Sequence, residues 1–532
     1  QWPGGRAPFG FGETDLNTPL TQGYPTYYFR TSFEITEIPA RIKKLTIEAN
    51  YDDAFVAYLN GREITRQGNV PIMKSSVLSD AEEHESGLYE TIDVSEHIDK
   101  LRAGKNVLAV AVYQLSQDDD DLYMDLGLSF TPKTEAGPEL TRGPYLQIGA
   151  PTQMVVRWRT DSPTDSRVEY GTIVGNLNMS ADDPGSRTDH EITLTGLTPN
   201  MTYYYSVGDA SGASASGSDY FFVTPPTAGT TKSSRIWVLG DAGTKNNDQR
   251  DVRDAYYSFT GSTHTDMWVL LGDNAYFSGT DADYQSALYD MYPEMLRKSV
   301  VWPAFGNHEA LSSSSSSESG PFYDMFTLPE NGEAGGVATG TEAYYSFDYA
   351  NIHFVCLNSE DVSRSTSGAM LTWLEDDLSA NTQDWTIAFW HHPPYSKGSH
   401  NSDNEGRLID MRENALPILE QHGVDLVLSG HSHSYERSFL LDGHYGNSLS
   451  LMNDMILDDG DGQTDGDGAY TKPVLGPSSH DGAVYVVAGN GGQLGGGSLD
   501  HPAMHVSMNE LGSVVLDVND DQLDLTFIDD NG

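Results

Sequence analysis

The sequence predicts a multidomain protein in which two all-β sandwiches are followed by one α/β domain. Its 532 residues are too many for a single hydrophobic core. Short apolar runs separated by turn residues fill the chain up to about residue 226. From about residue 235, strand-like runs alternate with helical stretches, which is the pattern of an α/β domain. We therefore expect domains at residues 1–134, 138–226 and 234–532.

The first domain carries the turn chemistry of a β-sandwich. The runs 27–35, 54–59 and 106–112 are short and apolar, and Asn60-Gly61 is a dipeptide favoured in tight hairpin turns. The stretch 51–61 resembles the jelly-roll modules related to galactose-binding domains that often precede secreted hydrolases. That resemblance implies a glycan or cell-surface contact for this module. The acidic run Asp118 to Asp121 is predicted to be a solvated loop, with calcium binding as the alternative.

The second domain is predicted from three further strand-like runs. They cover residues 152–159, 166–170 and 197–205, after a link near residues 131–138. Apolar alternation around the single Trp158, with a late run of tyrosines, resembles a fibronectin type III sandwich.

The third domain combines strands with helices and two low-complexity patches. Residues 283–299 and 368–379 are predicted helices, and residues 312–317 and 458–468 are predicted surface insertions. In the second patch glycines separate four aspartates, which suggests a calcium loop: Asp459, Asp461, Asp465 and Asp467. The patch lacks the spacing and the terminal Glu of an EF-hand, so a solvated surface loop remains the first prediction and calcium binding is the alternative.

The charge balance limits the partners of the chain. It has 78 acidic and 30 basic residues, which gives a formal net charge of −48. Such a surface repels nucleic-acid backbones and anionic membranes, so we expect neither as a partner. An anionic substrate would need a local positive centre. The acidic excess fits a salty or calcium-containing exterior, and it fits equally a general need for solubility.

The chain ends and the single cysteine suggest an exported protein without disulfides. The sequence starts at Gln1 without a charged and apolar leader, as it would after removal of a signal peptide, although a trimmed chain would look the same. No apolar stretch is long enough to span a membrane. Cys356 lies in an apolar run and is predicted to be a small buried hydrophobe. We expect a secreted or periplasmic location.

Five segments of the third domain place polar side chains where apolar runs stop. Two strand-like runs end in Gly-Asp, at Asp241 and Asp273, and Tyr276 follows the second. The remaining three segments are Gly306-Asn307-His308-Glu309, His391-His392 and Gly430-His431-Ser432-His433. Hydrolysis of a phosphate ester needs an activated water and neutralised phosphoryl oxygens, and two metal ions held close together supply both. A carboxylate usually bridges such ions, and ligands from other strand ends complete each site.

These segments, in this order, resemble the five signature blocks of the purple acid phosphatases, a family within the calcineurin-like metallophosphoesterase superfamily. The blocks lie between Gly240 and Arg437, and the strand and Gly-rich loop at residues 484–492 are also similar to the family. The second domain resembles the family's N-terminal sandwich, whereas the first domain is an addition. The resemblance implies a secreted phosphatase that hydrolyses phosphate monoesters by attack of a metal-bound hydroxide.

The resemblance also implies a role for each ligand. Asp241, Tyr276 and His433 would bind Fe³⁺, and Asp273 would bridge the two ions. Asn307, His391 and His431 would bind a divalent ion, which is Fe²⁺, Zn²⁺ or Mn²⁺. Tyr276 discriminates among families, because a phenolate is a hard anionic donor that favours Fe³⁺.

Two histidines are expected to act on the substrate. His308 would bind phosphate or protonate the leaving group, and His400 falls where the family has a loop histidine near the substrate. Each could instead support a ligand. His392 departs from the family, where a small residue commonly follows the ligand, and we favour His391 because it comes first after its strand. Glu309, Tyr435, Glu436 and Arg437 are expected to be structural supports.

Two other functions compete with a phosphomonoesterase. A phosphodiesterase or phosphotriesterase could use the same centre, because these motifs fix the metals and not the substrate. A surface-binding protein with a vestigial phosphoesterase domain is the more distant alternative. It is opposed by the fact that every expected ligand position is filled.

Overall fold

The computed structural model describes residues 3–35, 42–68, 84, 86–102, 104–115, 120–132 and 138–532. The chain divides into two compact units. One comprises residues 1–140, 160–188 and 204–220, and the other comprises residues 141–159, 189–203 and 221–532. The architecture is the predicted one, with β-rich domains followed by an α/β domain. The domain boundaries inferred from the sequence stay a prediction.

The first nine strands form two sheets with a shared core. Their bounds are β1 (Phe9–Phe11), β2 (Thr18–Pro19), β3 (Thr26–Ile35), β4 (Ile42–Tyr51), β5 (Ala54–Leu59), β6 (Arg62–Gln67), β7 (Glu90–Asp93), β8 (Gly104–Tyr113) and β9 (Leu122–Pro132). One sheet has the order β2-β1-β9-β4-β7 and the other the order β3-β8-β5-β6. Side chains from both sheets, among them Leu45, Ile47, Phe55 and Val112, form one buried cluster. This is the predicted sandwich.

The predicted hairpin turn joins β5 to β6. Asn60 and Gly61 both have positive φ angles, 50° and 81°, and Leu59 lies opposite Arg62 across the hairpin. A two-residue turn with positive φ at both positions matches the twist of the flanking strands. The dipeptide therefore sets the register of this pair.

Six further strands lie between residues 140 and 223. They are β10 (Leu140–Ala150), β11 (Gln153–Gly171), β12 (Met179–Thr195), β13 (Thr202–Asp209), β14 (Gly212–Ala215) and β15 (Phe221–Val223). Strand β11 pairs antiparallel with β13, with Val168 opposite Val207, and β13 pairs with β14. Trp158, the single tryptophan of this region, is buried and stacks on His190 with 4.8 Å between the rings.

The last domain contains two large sheets and seven short helices. Its elements are β16 (Ser234–Leu239), α1 (Asn247–Thr260), β17 (Met267–Leu270), α2 (Asp281–Tyr284), α3 (Pro293–Leu296), β18 (Val300–Pro303), α4 (Pro321–Met325), β19 (Tyr345–Tyr349), β20 (Ile352–Cys356), α5 (Ala369–Ala380), β21 (Trp385–Trp390), α6 (Gly406–Asp410), α7 (Leu416–Gln421), β22 (Leu426–Ser429), β23 (Tyr435–Ser438), β24 (Leu440–Leu441), β25 (Ile456–Asp458), β26 (Val484–Ala488), β27 (Met504–Met508), β28 (Gly512–Asn519) and β29 (Gln522–Asp529). Within the described residues, no helix has the length and apolar character needed to cross a membrane.

Parallel strands form one side of the first large sheet and the middle of the second. The first sheet has the order β18-β17-β16-β28-β29, and β16, β17 and β18 are parallel. The second has the order β19-β20-β21-β22-β26-β23-β27, and β20, β21, β22 and β26 are parallel. Side chains of α5 and α7 are buried with those of the second sheet. Polar residues that follow these parallel strands therefore gather at their carboxyl ends, where α/β proteins build sites.

Two local predictions are corrected. The helix expected over residues 283–299 is broken into α2, a π-helical turn at Gln285–Tyr289 and α3, because Pro293 has no N–H to continue the helix and begins α3 instead.

The serine patch at residues 312–317 is not simply a surface insertion, since Ser313 and Ser315 are buried. Ser315 donates to Asp361, and Ser313 accepts the N–H of Phe322. The helix predicted over residues 368–379 corresponds to α5.

Candidate metal centre

The expected ligands follow strands of both large sheets. Asp241, Asp273 and Asn307 come after β16, β17 and β18, His391 follows β21, and His431 and His433 follow β22. The two carboxylates are completely withdrawn from solvent, with 0% of Asp241 and 1% of Asp273 exposed. The structure brings all seven side chains to one place, as the sequence predicts for parallel strand ends.

Three of these residues have a backbone conformation that L-residues rarely adopt. The φ angles are 53° at Asp241, 54° at Asp273 and 64° at His431. Such conformations cost free energy and persist where surrounding contacts impose them. Here the His431 N–H donates to Asp241 Oδ2 at 2.7 Å, and the His308 N–H donates to Asp273 Oδ1 at 3.0 Å. These bonds turn each strand end so that its side chain faces its neighbours.

Two of the motif glycines leave room for ligand side chains. A Cβ at Gly272 would lie 2.6 Å from His391 Nδ1, and a Cβ at Gly430 would overlap Asp241 Oδ2. Gly272 also has a φ of 92°, which disfavours other residues. The glycines before Asp273 and His431 are thus required by close approach across the centre.

Tyr276 is the meeting point of one half of the centre. Its Oη lies 3.2 Å from Asp241 Oδ1, 3.1 Å from Asp273 Oδ2 and 3.2 Å from His433 Nε2. Four potential metal-ligand atoms therefore lie close together, with no room for another side chain between them.

His391 is the meeting point of the other half. Its Nε2 lies 3.0 Å from Asn307 Oδ1 and 3.4 Å from Asp273 Oδ1, and its Nδ1 is held by the carbonyl oxygen of Leu271 at 2.9 Å. The His431 ring lies 4.9 Å from the His391 ring. Asp273 is shared by the two halves, because Oδ2 faces Tyr276 whereas Oδ1 faces His391.

The electrostatics of this cluster call for cations. Buried carboxylates are stable only when paired, and neither Asp241 nor Asp273 has a Lys or Arg ion pair among the described residues. Burial and the charges of Asp241 and Asp273 raise the pKa of Tyr276 well above its usual value. Burial lowers the pKa of His391, but the charges of Asp273 and Asp241 outweigh it and raise the pKa. The donor set fits a pair of metal ions, which would neutralise the carboxylates.

Glu309 holds two of the ligand loops together. It is fully buried, and its carboxylate accepts the N–H groups of Asp273, Asn274 and Gly306, each at 2.9 Å. Burial, together with the charge of Asp273, raises the pKa of Glu309 to about 7. Glu309 touches backbone and not the ligand oxygens, which matches the structural role expected from the sequence.

Each predicted substrate histidine has one ring nitrogen occupied. His308 Nδ1 lies 2.6 Å from the carbonyl oxygen of Phe277, and its Nε2 lies 3.7 Å from Asp273 Oδ2. His400 Nδ1 lies 2.9 Å from the carboxylate of Glu405, and its ring stacks on that of His431 at 3.7 Å. Because both partners are acceptors, Nδ1 carries the proton in each ring. Both histidines therefore lie beside the expected ligands.

His392 lies beside the ligand cluster, with its ring 4.3 Å from that of His431 and a nitrogen within 4.8 Å of nitrogens of His391 and His431. Its Nδ1 lies 2.9 Å from Ser359 Oγ, and its Nε2 lies 3.5 Å from Glu360 Oε2. Burial and the neighbouring histidines lower the pKa of His392 well below its usual value. His391 contacts Asn307 and Asp273 whereas His392 contacts Ser359 and Glu360, and this difference favours His391 as the ligand.

Two residues at the centre were missed by sequence reasoning. Glu405 lies 3.7 Å from His431 Nε2, and contacts with His431 and His400 lower its pKa to about 2. Gln493 lies 3.4 Å from His433 Nε2. Gln493 follows the Gly-rich loop after β26, and that loop was the available signal. Glu405 directly precedes α6 in a polar stretch that also contains Asp403, and nothing local marks it as part of the site.

The aspartates considered as calcium ligands bind backbone N–H groups of their own loop, and calcium binding there stays a prediction. Asp461 Oδ1 accepts the N–H of Gln463 at 2.8 Å, and Asp467 Oδ1 accepts the N–H of Asp461 at 2.8 Å. These carboxylates close the loop through its own backbone. Among the described residues, the acidic and histidine groups that could hold a metal do not include this loop.

The acidic run of the first domain is only partly described. Asp118 and Asp119 lie outside the described residues. Asp121 lies with Glu13 and Asp52, and the three carboxylate oxygens are within 4.8 Å of one another.

Two families match separate parts of the chain. Residues 234–435 match the calcineurin-like phosphoesterases, and residues 141–224 match the purple acid phosphatase N-terminal domain. Purple acid phosphatase 15 of Arabidopsis thaliana is 28% identical over 275 residues, which make up 47% of this chain and 49% of that protein. Probable purple acid phosphatase 20 of the same plant is 27% identical over 326 residues, or 58% and 71% of the two chains. The chain thus spans about half of the first relative and about seven tenths of the second.

A solved structure shares the fold over nearly the whole chain. The purple acid phosphatase isolated from yellow lupin (Lupinus luteus) seeds matches with a TM-score of 0.54 and 16% identity. The match covers 96% of this chain and 92% of the lupin chain. At this identity the likeness shows a common fold.

Proposed function

Because the chain belongs to the purple acid phosphatase family of calcineurin-like phosphoesterases, we propose that it hydrolyses phosphate monoesters at a centre of two metal ions. One observation carries this proposal. Asp273 directs one carboxylate oxygen at Tyr276 and the other at His391, so a single side chain adjoins two separate groups of ligands. A bridging carboxylate of this kind is what two closely spaced ions require.

The ligands divide between a trivalent and a divalent ion. Asp241, Tyr276 and His433 would hold Fe³⁺, since the phenolate oxygen of Tyr276 is a hard anionic donor. Asn307, His391 and His431 would hold Fe²⁺, Zn²⁺ or Mn²⁺, because amide oxygen and imidazole suit divalent ions. The short distances within each group support this division.

The metal pair, when bound, would make a water molecule nucleophilic and neutralise the phosphoryl oxygens. The remaining work falls to side chains of this chain. The carbonyl oxygen of Phe277 accepts from His308 Nδ1, so that Nε2 faces the centre and, when it also carries a proton, can donate to a phosphoryl oxygen. Glu405 accepts from His400 Nδ1, which leaves Nε2 free to take up a second proton and donate it to the departing ester oxygen. Glu309 keeps the loops of Asp273 and Asn307 in register.

Because the protein surface is acidic, the metal centre would also have to attract the anionic substrate. With a net charge of −48 the protein repels a phosphate dianion at long range, and salt screens that field over about 8–10 Å. The ions would then supply the local attraction. The same acidic composition fits a protein that works outside the cytoplasm in a salty medium. We therefore propose that the protein is secreted or periplasmic. Fractionation of cells that produce the full-length protein tests this location.

Turnover of two related substrates, combined with elemental analysis, tests the function. We expect two metal ions per chain and a higher kcat/KM for 4-nitrophenyl phosphate than for bis(4-nitrophenyl) phosphate. Faster cleavage of the diester would make the protein a phosphodiesterase on the same centre. A protein that contains no metal and cleaves neither ester would overturn the proposal.

The iron assignment has its own test in Tyr276→Phe. In the purple acid phosphatases, charge transfer from the tyrosinate to iron gives the colour, so removal of one oxygen should abolish the visible absorption band and alter metal preference while the fold survives. Circular dichroism and elemental analysis of both proteins serve as controls. Unchanged colour and metal content in the variant would show that Tyr276 is not the iron ligand.

A further inference from the structure

Three large apolar side chains are exposed next to the proposed centre. Phe277 is 76% exposed, Leu311 67% and Leu494 42%. Isolated exposed apolar residues are common and need no explanation. These three differ by their positions in the chain. Phe277 follows the ligand Tyr276, Leu311 closes the turn that starts at His308, and Leu494 follows Gln493, which touches His433.

Phe277 is the best placed of the three. Its ring lies 6.0 Å from the ring of Tyr276, and its carbonyl oxygen accepts the hydrogen bond from His308 Nδ1. Its backbone is thus held between a metal ligand and a histidine that faces the phosphoryl group. The side chain nevertheless remains largely in water instead of packing into the core. A ring in this position has contact area available for a group that enters with the phosphate.

The metal ligands cannot distinguish one phosphate ester from another. They bind the phosphoryl group, which is the same in every monoester, so selectivity must come from groups that touch the organic part. An aromatic ring gains about 0.5–1.5 kcal/mol beyond its buried area when it meets a second ring at 4.5–7 Å, which corresponds to about a two- to twelvefold preference. The net charge of −48 disfavours organic groups that carry further negative charge.

We infer that Phe277 is a specificity-determining residue that packs against the organic part of the substrate and favours phosphate esters of uncharged aromatic alcohols. This inference rests on the proposed function, and it names the substrate class of the same site. In the reaction a water oxygen bonds to phosphorus, the bond between phosphorus and the ester oxygen breaks, and the aromatic alcohol leaves after it gains a proton.

A comparison of the kcat/KM values for an aromatic and an aliphatic ester tests the inference. The kcat/KM values for phenyl phosphate and glycerol 2-phosphate are measured for the metal-loaded protein and for Phe277→Ala, Phe277→Tyr and Phe259→Ala. Comparison of the ratio of the two values cancels their different intrinsic reactivities. We expect the ratio to fall about three- to tenfold in Phe277→Ala and to be kept in Phe277→Tyr. Phe259, at the end of α1 and 43% exposed, is a matched aromatic control whose replacement should not change the ratio.

Binding of a non-hydrolysable ligand separates this inference from the proposed function. The dissociation constants of phenylphosphonate and inorganic phosphate are measured by calorimetry, and metal content is measured in every variant. In Phe277→Ala, the affinity for phenylphosphonate should fall about three- to tenfold relative to the affinity for phosphate. An unchanged ratio in both experiments would overturn the role of Phe277, and so would an equal fall for both ligands. A protein that binds phenylphosphonate selectively without turnover would contradict the proposed function and still support Phe277.

Discussion

Aspartates beside glycine occur in two regions of the last domain, and their environments are opposite. At the strand ends, Asp241 and Asp273 are buried and direct carboxylate oxygens at the same tyrosine. In the loop at residues 458–468, Asp461 and Asp467 lie near the surface and bind backbone N–H groups of their own loop. The difference indicates that the arrangement of the aspartates matters more than their number. Convergence from separate strands brings the charges together away from water, where we expect cations to pair with them.

The largest effect should come from the carboxylate shared by both halves of the centre. Asp273→Ala removes the oxygens that face Tyr276 and His391, so we expect loss of both ions and a fall in activity of at least about 100-fold. Elemental analysis and turnover of 4-nitrophenyl phosphate measure both effects. Asp461→Ala is the matched control from the exposed loop. A full pair of ions in Asp273→Ala would contradict the bridging role and weaken the contrast between the two regions.

A large effect on rate, without loss of metal, is expected from the histidines beside the buried aspartates. His308→Ala and His400→Ala should each lower kcat by about 100-fold or more, because general acid–base and phosphate contacts are lost while the ligands remain. His422→Ala is a control, since this histidine pairs with the surface residue Glu375 at 3.0 Å. Turnover and metal content are measured together. A normal kcat in either variant would show that the replaced histidine has only a structural role.

Another buried aspartate, Asp377, allows the cost of lost cation pairing to be measured. Asp377 lies 2.8 Å from His353, which is also 2.8 Å from Asp348. Burial lowers the pKa of His353, but the two carboxylates outweigh it and raise the pKa to about 9. The unfolded value is about 6.5, so this pairing stabilises the fold fully below about pH 6.5, and the contribution is lost as the pH rises through about 9. Asp377 is thus a buried carboxylate with a cation supplied by the protein.

His353→Gln should therefore destabilise the protein more at pH 6 than at pH 10. The difference between the two penalties should be on the order of 3 kcal/mol, from about 2.5 pKa units at 1.36 kcal/mol each. Urea unfolding followed by tryptophan fluorescence measures it. His480→Gln is the control, because that histidine pairs with Asp442 at the surface. Equal penalties at both pH values would show that His353 is not charged in the folded protein.

The smallest effect is expected from the exposed loop. Replacement of Asp461 and Asp467 by Asn keeps acceptors for the loop amides, so the melting temperature should change by less than about 2 °C. Activity should stay the same. Calorimetry with and without calcium completes the test. A rise in melting temperature on addition of calcium that disappears in the double variant would show that this loop also holds an ion.

Local signals in the sequence predicted the architecture and the gathering of the site residues. Alternating apolar runs and the Asn60-Gly61 turn indicated the first sandwich, and polar residues at strand ends indicated the site, because parallel strands bring their carboxyl ends together. Contacts between distant segments were not predictable in this way. Ser315 is buried by Asp361, 46 positions away, although its neighbours suggest a flexible surface patch. Gln493 and Glu405 reach the centre from loops whose paths no local pattern determines.

The hydrogen bond from His431 to Asp241 joins residues 190 positions apart and connects the first large sheet with the second. Neither sheet alone contains a complete set of ligands, so the metal centre can form only after both sheets have folded and met. We expect the ions to be acquired late in assembly, after most of the chain is in place. Once bound, the ions would hold the two sheets together, because their ligands follow strands of both sheets. The proposed centre would then also stabilise the folded domain, and a chain stripped of metal should unfold faster than the metal-loaded chain.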